Sequence, residues 1–478
     1  LQMSHRPSAN KVQFRGDLER LEAREVLSGG SFFQGPTNFV YTETENTDPG
    51  QNAVIAYSQS SNGQLTEIGS YNTGGTGVAN TGLLGPQDAD KQVIASPDGR
   101  LIFAVNQGSN TVAVFNVLPD GSLSRVPGGA FSSGGTEPVS LAIAEGRLYV
   151  VNRGDEIQGQ TGSIAPSITV FDIAPNGDLF QNFADTTTLP VGLSPSQVLT
   201  TPTSNLVFVD TFTPPPLNAV AGANEILPFQ IGGKGQLVPA PGGGVGDAVT
   251  PPLLLGLAFN PNQNIIYAGL TGANDVGVFT FDHSGKLTLV DTVPVGLGGA
   301  GPCWTAVSPN GQFLYTVDTG TDSVGVFSLA NPLNPTQIQE FFLGGPLNSS
   351  GSVSASHPAE TTDFEFSFGP TGKSLFVIDH EQNAANGTFP AGNALHTLSV
   401  ASNGMLSETT SPAFLPGNIP AGADPQGVAV ISAPFVGFFN PFGFGSPFND
   451  FNSFDVGWAV SLIEADLNSQ NQSCGYGF

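Results

Sequence analysis

The chain alternates short apolar runs with polar turns, most clearly over residues 308–329, SPNGQFLYTVDTGTDSVGVFSL. A Pro-Asn-Gly turn leads into an apolar run from Phe313 to Val317. A second turn crosses Asp318 to Asp322, and another run extends from Val324 to Leu329. Aromatic and β-branched residues fill the runs and turn formers bound them, a pattern that predicts strands joined by tight turns.

Residues 96–117, SPDGRLIFAVNQGSNTVAVFNV, are a near copy, and weaker copies recur along most of the chain. Each copy predicts four strands, a to d. The a–b turns read Pro97-Asp98-Gly99, Glu145-Gly146, Thr203-Ser204-Asn205, Pro261-Asn262, Pro309-Asn310-Gly311 and Pro370-Thr371-Gly372. Such residues supply the backbone angles of a tight hairpin. The c–d turns carry Gly63, Gly121, Gly177, Gly235, Gly285 and Gly404, and the first four spacings are 58, 56, 58 and 50 residues. The last spacing spans two units, with Asn331 to Pro335 serving as the intervening turn.

Four short strands at this period predict an all-β fold, a β-propeller of four-stranded antiparallel blades. Complete units start near Lys91, Glu137, Pro195, Pro252, Pro302 and Thr362. The first unit, 39–71, has strands b, c and d but no strand a. The chain supplies an unpaired a-like run, Gln426 to Ile431, at its far end. The expectation is therefore seven blades in one domain, 39–431, with the ring closed by a C-terminal strand that removes the exposed sheet edges. Residues 1–38 form a separate N-terminal segment. Residues 432–478 form a tail with eight phenylalanines between 435 and 454 and a candidate short amphipathic helix at 456–467.

Charge narrows the partners. Thirteen Lys and Arg face 39 Asp and Glu, for a net charge of -26. This deficit of cations argues against a nucleic-acid partner, whose phosphates need neutralising, and against an anionic membrane surface. No apolar run reaches the length of a spanning helix. The two cysteines, Cys303 and Cys474, make no disulfide framework or Cys-rich metal site. Nothing in the pattern calls for an oligomer, so the expectation is a monomer.

In an a-b-c-d meander the b–c hairpins and the d–a connections share one face. Strand b is expected to end at Glu43, Asn106, Asn152, Asp210, Gly269, Asp318 and Asp379 in blade order, a polar ring near one mouth of the channel. The plainer reading of this ring is structural, because Asp and Asn open hairpins by accepting backbone N–H bonds. The other reading turns some members, Asp318 and Asp379 foremost, toward a ligand or a divalent cation. No cofactor is otherwise expected, and no HExxH-like spacing marks a metal site.

Long b–c loops at 153–166, 211–224 and 380–393 fall on the same face, where function concentrates on a rigid scaffold. Blade 7 gathers His357, Glu360, Asp363, Asp379, His380 and Glu381. His380, His357 and Glu381 are the candidate general bases. Arg153 and Lys91 are the cations placed to polarise a carbonyl or hold an anion. Trp304 is a candidate stacking surface for a sugar ring, or else a channel-lining core residue. No nucleophile elbow, phosphate loop or dinucleotide fingerprint is present.

The repeat resembles that of the seven-bladed lactonase propellers, the family of one type of 6-phosphogluconolactonase and of a muconate-lactonising enzyme. The family pattern is close to Ser-Pro-Asp-Gly-Arg-Phe-Leu-Tyr-Val-x-Asn-x-Gly-x-Asp-x-Val-x-Val-Phe. Residues 308–327 and 96–115 follow it well, 139–173 and 257–281 loosely. The resemblance implies a hydrolase acting on a lactone or carbohydrate. Enzymatic relatives tend to place His after a Pro at the start of strand a. Here those places read Pro138-Val139-Ser140, Pro302-Cys303-Trp304 and Pro425-Gln426-Gly427. Only eight Lys and Arg lie beyond the N-terminal segment, which disfavours a phosphorylated substrate and leaves a neutral sugar or other lactone. The alternative is a non-catalytic exported propeller that binds glycan or protein through its long-loop face. Residues 21–27, LEAREVL, resemble the Leu-Glu-Pro-Arg-x-Leu-Leu segment near the start of many exported planctomycete-type proteins, departing at Ala23 and Val26. That resemblance implies an exported or cell-surface location.

Overall fold

The computed structural model describes residues 36–78, 89–155, 162–181, 186–201, 205–213, 220–246, 253–343, 361–381, 393–415, 419–420, 423 and 425–434. The N-terminal segment, the Phe-rich tail, His357 and most of the 380–393 loop lie outside them. Among the described residues no helix is long and apolar enough to cross a membrane.

Seven antiparallel sheets form the blades, each with the order a-b-c-d. Blade 1 takes strands b, c and d from Asn38–Glu43, Ala53–Gln59 and Leu65–Asn72, and its strand a is Gln426–Ser432 from the far end of the chain. Tyr41 pairs with Ala429 and Phe39 with Ile431 across this seam, so the ring closes as the sequence predicts. In blades 3, 4 and 7 strand d breaks into two pieces. In blades 1, 2, 5 and 6 the c–d register shifts once instead, for example between Ala56 and Tyr57. The extra twist of such a bulge bends the outermost strand around the rim.

No single core exists. The apolar clusters lie between neighbouring blades: Tyr41 and Val54 of blade 1 with Ile102 and Phe115 of blade 2, then Phe103 with Leu148 and Phe171, and so on around the ring. Strands b and c are buried along nearly their whole length because both faces of each sheet are covered. The c–d glycines belong to this packing. Gly121, Gly177, Gly285 and Gly404 sit with φ near +85° against a residue at the start of strand b of the preceding blade, Phe39, Leu101, Leu206 and Phe313 in turn. Both the left-handed backbone and the close approach exclude a side chain there. The same turns accept bonds from the preceding blade: Tyr41 Oη to Gly121 O at 3.1 Å, Tyr149 Oη to Gly235 O at 3.3 Å and Tyr315 Oη to Gly404 O at 2.8 Å.

Blade 7 carries an ionic clasp across three strands. His396 on strand c is 2% exposed. Its Nδ1 lies 2.9 Å from Glu408 on strand d and its Nε2 3.6 Å from Asp379 on strand b. Burial opposes protonation of this imidazole, but the two carboxylates outweigh it and push the pKa up to about 10.

Two outcomes follow from this packing. Gly404→Ala drives a methyl into the Phe313 ring at positive φ and is expected to cost about 1–3 kcal/mol. Gly128→Ala, with φ +79° but open space around it, costs less, and urea unfolding of the two variants compares them. The stability that His396 contributes is fully present below its unfolded pKa of about 6.5 and is lost as pH rises through about 10. His396→Gln is therefore expected to lower the melting temperature at pH 6 and to flatten its decline between pH 7 and pH 10.

Candidate functional site

Backbone bonds tie the b–c loops to the d–a connections on one face. Arg153 N donates to Glu137 O, Phe212 N to Ser194 O, Thr271 N to Leu253 O and Thr319 N to Gly301 O. The polar ring expected at the ends of strand b is present and buried: Glu43, Asn106, Asn152, Asp210 and Asp318 are fully enclosed and Asp379 nearly so. Strand b runs one residue past Asp210 and two past Asp379.

Its members bond within their own blade or to the blade beside it. Asp210 accepts Ser196 Oγ and Gln197 N from strand a of its blade, and Gly256 N from the next blade at 2.8 Å. Burial nevertheless raises its pKa to about 7. Asp318 lies beside Glu340 of the same blade, and burial, reinforced by that carboxyl, pushes it well above the ordinary carboxylate range. Burial and the neighbouring Glu45 do the same to Glu43. Asp379 is held by His396. Among the described residues no set of three His, Cys, Asp or Glu side chains is placed to hold a metal ion.

Strand a is where the blades converge. In six blades its register against strand b shifts near the start, for example between Pro195 and Gln197, Leu255 and Leu257, and Asp363 and Phe366. Bulges of this kind re-aim side chains. Here they belong to the seven strands nearest the axis.

The residues leading into strand a of blade 2 cross that axis. Ala89 O accepts Trp304 Nε1 of blade 6 at 2.8 Å, and Asp90 N donates to Ser196 O of blade 4. Lys91 N donates to Glu365 Oε1 of blade 7 at 2.7 Å, and Lys91 O accepts Leu141 N of blade 3. Gln92 Nε2 reaches Gln426 Oε1 of blade 1. Five blades thus hold the segment Ala89 to Gln92, with Lys91 at φ +70°. A non-glycine residue in that region persists only where its surroundings dictate it, a situation that clusters at functional sites.

The Lys91 ammonium lies 2.8 Å from Asp90 Oδ1 and 3.7 Å from Glu365 Oε1. Asp90 Oδ2 and Glu365 Oε2 are both buried with no N–H or hydroxyl donor among the described residues, and the two carboxyls hydrogen-bond to each other. Burial first, and Asp90 second, raise the Glu365 pKa well above its ordinary value. Burial works against the Lys91 charge, yet Asp90 and Glu365 overcome it and raise that pKa too. The arrangement is two buried carboxyls and a partly exposed ammonium in contact.

The carboxylates keep 1% and 0% of their side-chain surface, whereas Lys91 keeps 31%. That surface faces a cavity of about 240 Å³, lined from Lys91 to Pro97 of the a–b turn by strands a of blades 2, 3 and 4. The accessible face of the cluster therefore looks along the channel toward the a–b turns, the opposite side from the long loops.

The residues singled out from sequence fall in several places. Lys91 is at the centre of this cluster. Trp304, 1% exposed, is a channel-wall residue whose indole N–H is already used. Arg153 is buried with Nε 3.4 Å from Pro195 O. Asp318 and Asp379 sit within blades 6 and 7. The backbones of His380 and Glu381 close strand b of blade 7, opposite Thr362 and Thr361. Sequence reasoning missed Asp90, Glu365 and His396. Two acids inside the strand Thr361–Phe368, TTDFEFSF, were the available signal for Glu365.

Comparison with known proteins agrees with the architecture. Residues 223–382 match the family described as Lactonase, 7-bladed beta-propeller. The sequence matches none of the curated proteins with which it was compared. Among solved structures it is similar to the Pseudomonas aeruginosa periplasmic gluconolactonase PpgL, at 16% identity and a TM-score of 0.58, over 83% of this chain and 99% of that one. A protein from Lactobacillus plantarum aligns at 15% identity and a TM-score of 0.57, over 83% and 98% of the two chains. A putative 6-phosphogluconolactonase from Bacteroides fragilis aligns at 17% identity and 0.55, over 83% and 97%. The chain is a seven-bladed β-propeller, and its stretch from strand c of blade 4 to strand b of blade 7 is similar to the lactonase propeller family.

Proposed function

We propose that the protein hydrolyses a neutral lactone at the Asp90–Lys91–Glu365 cluster. The observation that carries this reading is the contact of an ammonium with two buried carboxyls that hydrogen-bond to each other, where bulged inner strands converge. The lactonase match over residues 223–382 and the gluconolactonase named among its structural neighbours support the reaction class.

In this reading Asp90 Oδ2 takes a proton from water as the water oxygen bonds to the lactone carbonyl carbon. Lys91 Nζ–H stabilises the oxyanion. Collapse of the tetrahedral intermediate breaks the ring C–O bond, and Glu365 gives its proton to the departing alkoxide oxygen. The product is a hydroxy acid. The proton left on Asp90 returns to Glu365, which neighbours it. One water is consumed and both groups regain their starting states. The single cation and its two carboxyls favour a neutral substrate over a phosphorylated one.

The test is a pH-indicator assay over sugar and aliphatic lactones with Lys91→Met, Glu365→Gln, Asp90→Asn and His380→Ala, each checked for folding by its melting temperature. The first three are expected to lose about 10²-fold or more in kcat/KM. His380→Ala is expected to change it less than threefold. Loss in His380→Ala with turnover kept in Glu365→Gln and Asp90→Asn moves the base to the long-loop face. A flat panel with folded wild-type protein replaces the hydrolase by a non-catalytic propeller that binds glycan or protein.

A further inference from the structure

The cavity beneath Lys91 has one charged group and otherwise mostly apolar walls. Ile94, Leu141, Ile143, Val198 and Leu199 line it beside the polar Gln197 and Thr200, and among the described residues Lys91 is the only ionisable one. Lys91 has Asp90 at hydrogen-bond distance, while its separation from Glu365 is too long for a hydrogen bond. Among the described residues Asp90 is the ammonium's one hydrogen-bond acceptor, which leaves N–H groups for a ligand in the cavity.

The charge balance limits that ligand. Asp90 at 2.8 Å already compensates the ammonium, so a second anion would meet a neutral pair rather than a free cation. A sugar would leave its hydroxyls against apolar walls, at the cost of burying polar groups without partners. What fits is a small neutral molecule with one acceptor oxygen at one end and a hydrocarbon chain at the other. The space is an open groove of about 240 Å³, enough to cover a short hydrocarbon chain.

We infer that this cavity takes the apolar chain of a small cyclic carbonyl compound whose carbonyl oxygen accepts from Lys91. Resting on the hydrolase reading above, the substrate class is an aliphatic lactone with a chain of several carbons, lying along the channel toward the a–b turns. Polar sugar lactones bind less well.

The experiment has two arms on the full chain. In the first, kcat/KM is measured for γ-butyrolactone, γ-nonalactone and glucono-δ-lactone with wild-type protein and with Leu199→Asn and Ala95→Phe, which introduce polarity or bulk into the cavity. The expected result is at least a tenfold preference for γ-nonalactone, reduced at least fivefold by either variant. In the second arm, calorimetry measures binding of 5-pentyl-2-pyrrolidinone, which keeps the carbonyl and chain but resists hydrolysis, against unsubstituted 2-pyrrolidinone. Binding of the first only, lost in Lys91→Met and weakened in Leu199→Asn, supports the assignment. Turnover of lactones without a chain preference overturns it and leaves the hydrolase reading standing. Chain-dependent lactam binding without turnover keeps the cavity assignment and removes the hydrolase. Absence of both binding and turnover in folded protein overturns both.

Discussion

A four-stranded blade has two apolar faces and no partner of its own, and the rest of the structure follows from that constraint. Each face is buried only when the next blade packs on it, so stability resides in the contacts between repeats. The apolar clusters accordingly lie between blades, for example where Ile102 and Phe115 meet Tyr41 and Val54. The ring must also close. Gln426–Ser432 is hydrogen-bonded to Asn38–Glu43, and without that seam two blade faces and two sheet edges would stand open.

The same constraint places the chemistry. Blades that pack face to face bring seven strand-a edges around one axis, and bulges in six of them bend those strands where they crowd. Gly256 has no room for a side chain against Cys303 and Trp304, and Gly427 has none against Val93. Polar groups trapped there must find partners across blades. Gln197 does so by bonding the backbone of Leu257 in the next blade through both ends of its amide. Asp210 does so with Gly256. The segment through Lys91 satisfies five blades at once, and its backbone strain is maintained because so many neighbours fix it.

Buried carboxyls are common here and differ in role. Asp210 has both oxygens filled by donors and acts as a bond between blades 4 and 5. Asp379 faces one nitrogen of His396 and Glu408 the other, so one imidazolium is shared between two acids within one blade. Asp90 and Glu365 differ from these. The two carboxyls lie against each other and against Lys91, and the ammonium between them is partly exposed and lines open space. A strained backbone and an open cavity beside the charges separate a site from a structural clasp.

The repeat was legible in the sequence because its signals are local. Apolar runs of strand length, Pro-Asn-Gly turns and c–d glycines at Gly121, Gly177, Gly235 and Gly285 determine the blades, their number and the missing strand at 426–432. The polar ring was legible for the same reason, since Asp and Asn mark where strand b ends. What the side chains meet was decided only by the tertiary structure. Lys91 and Glu365 are 274 residues apart and touch because blade 2 and blade 7 share an axis. No spacing along the chain encodes that meeting. It depends on how a bulge turns one strand and on how seven strands crowd a channel. Trp304 likewise has its indole N–H committed to a backbone oxygen 215 residues away. Periodicity states which residues point inward, and only packing states which inward groups are left without a partner.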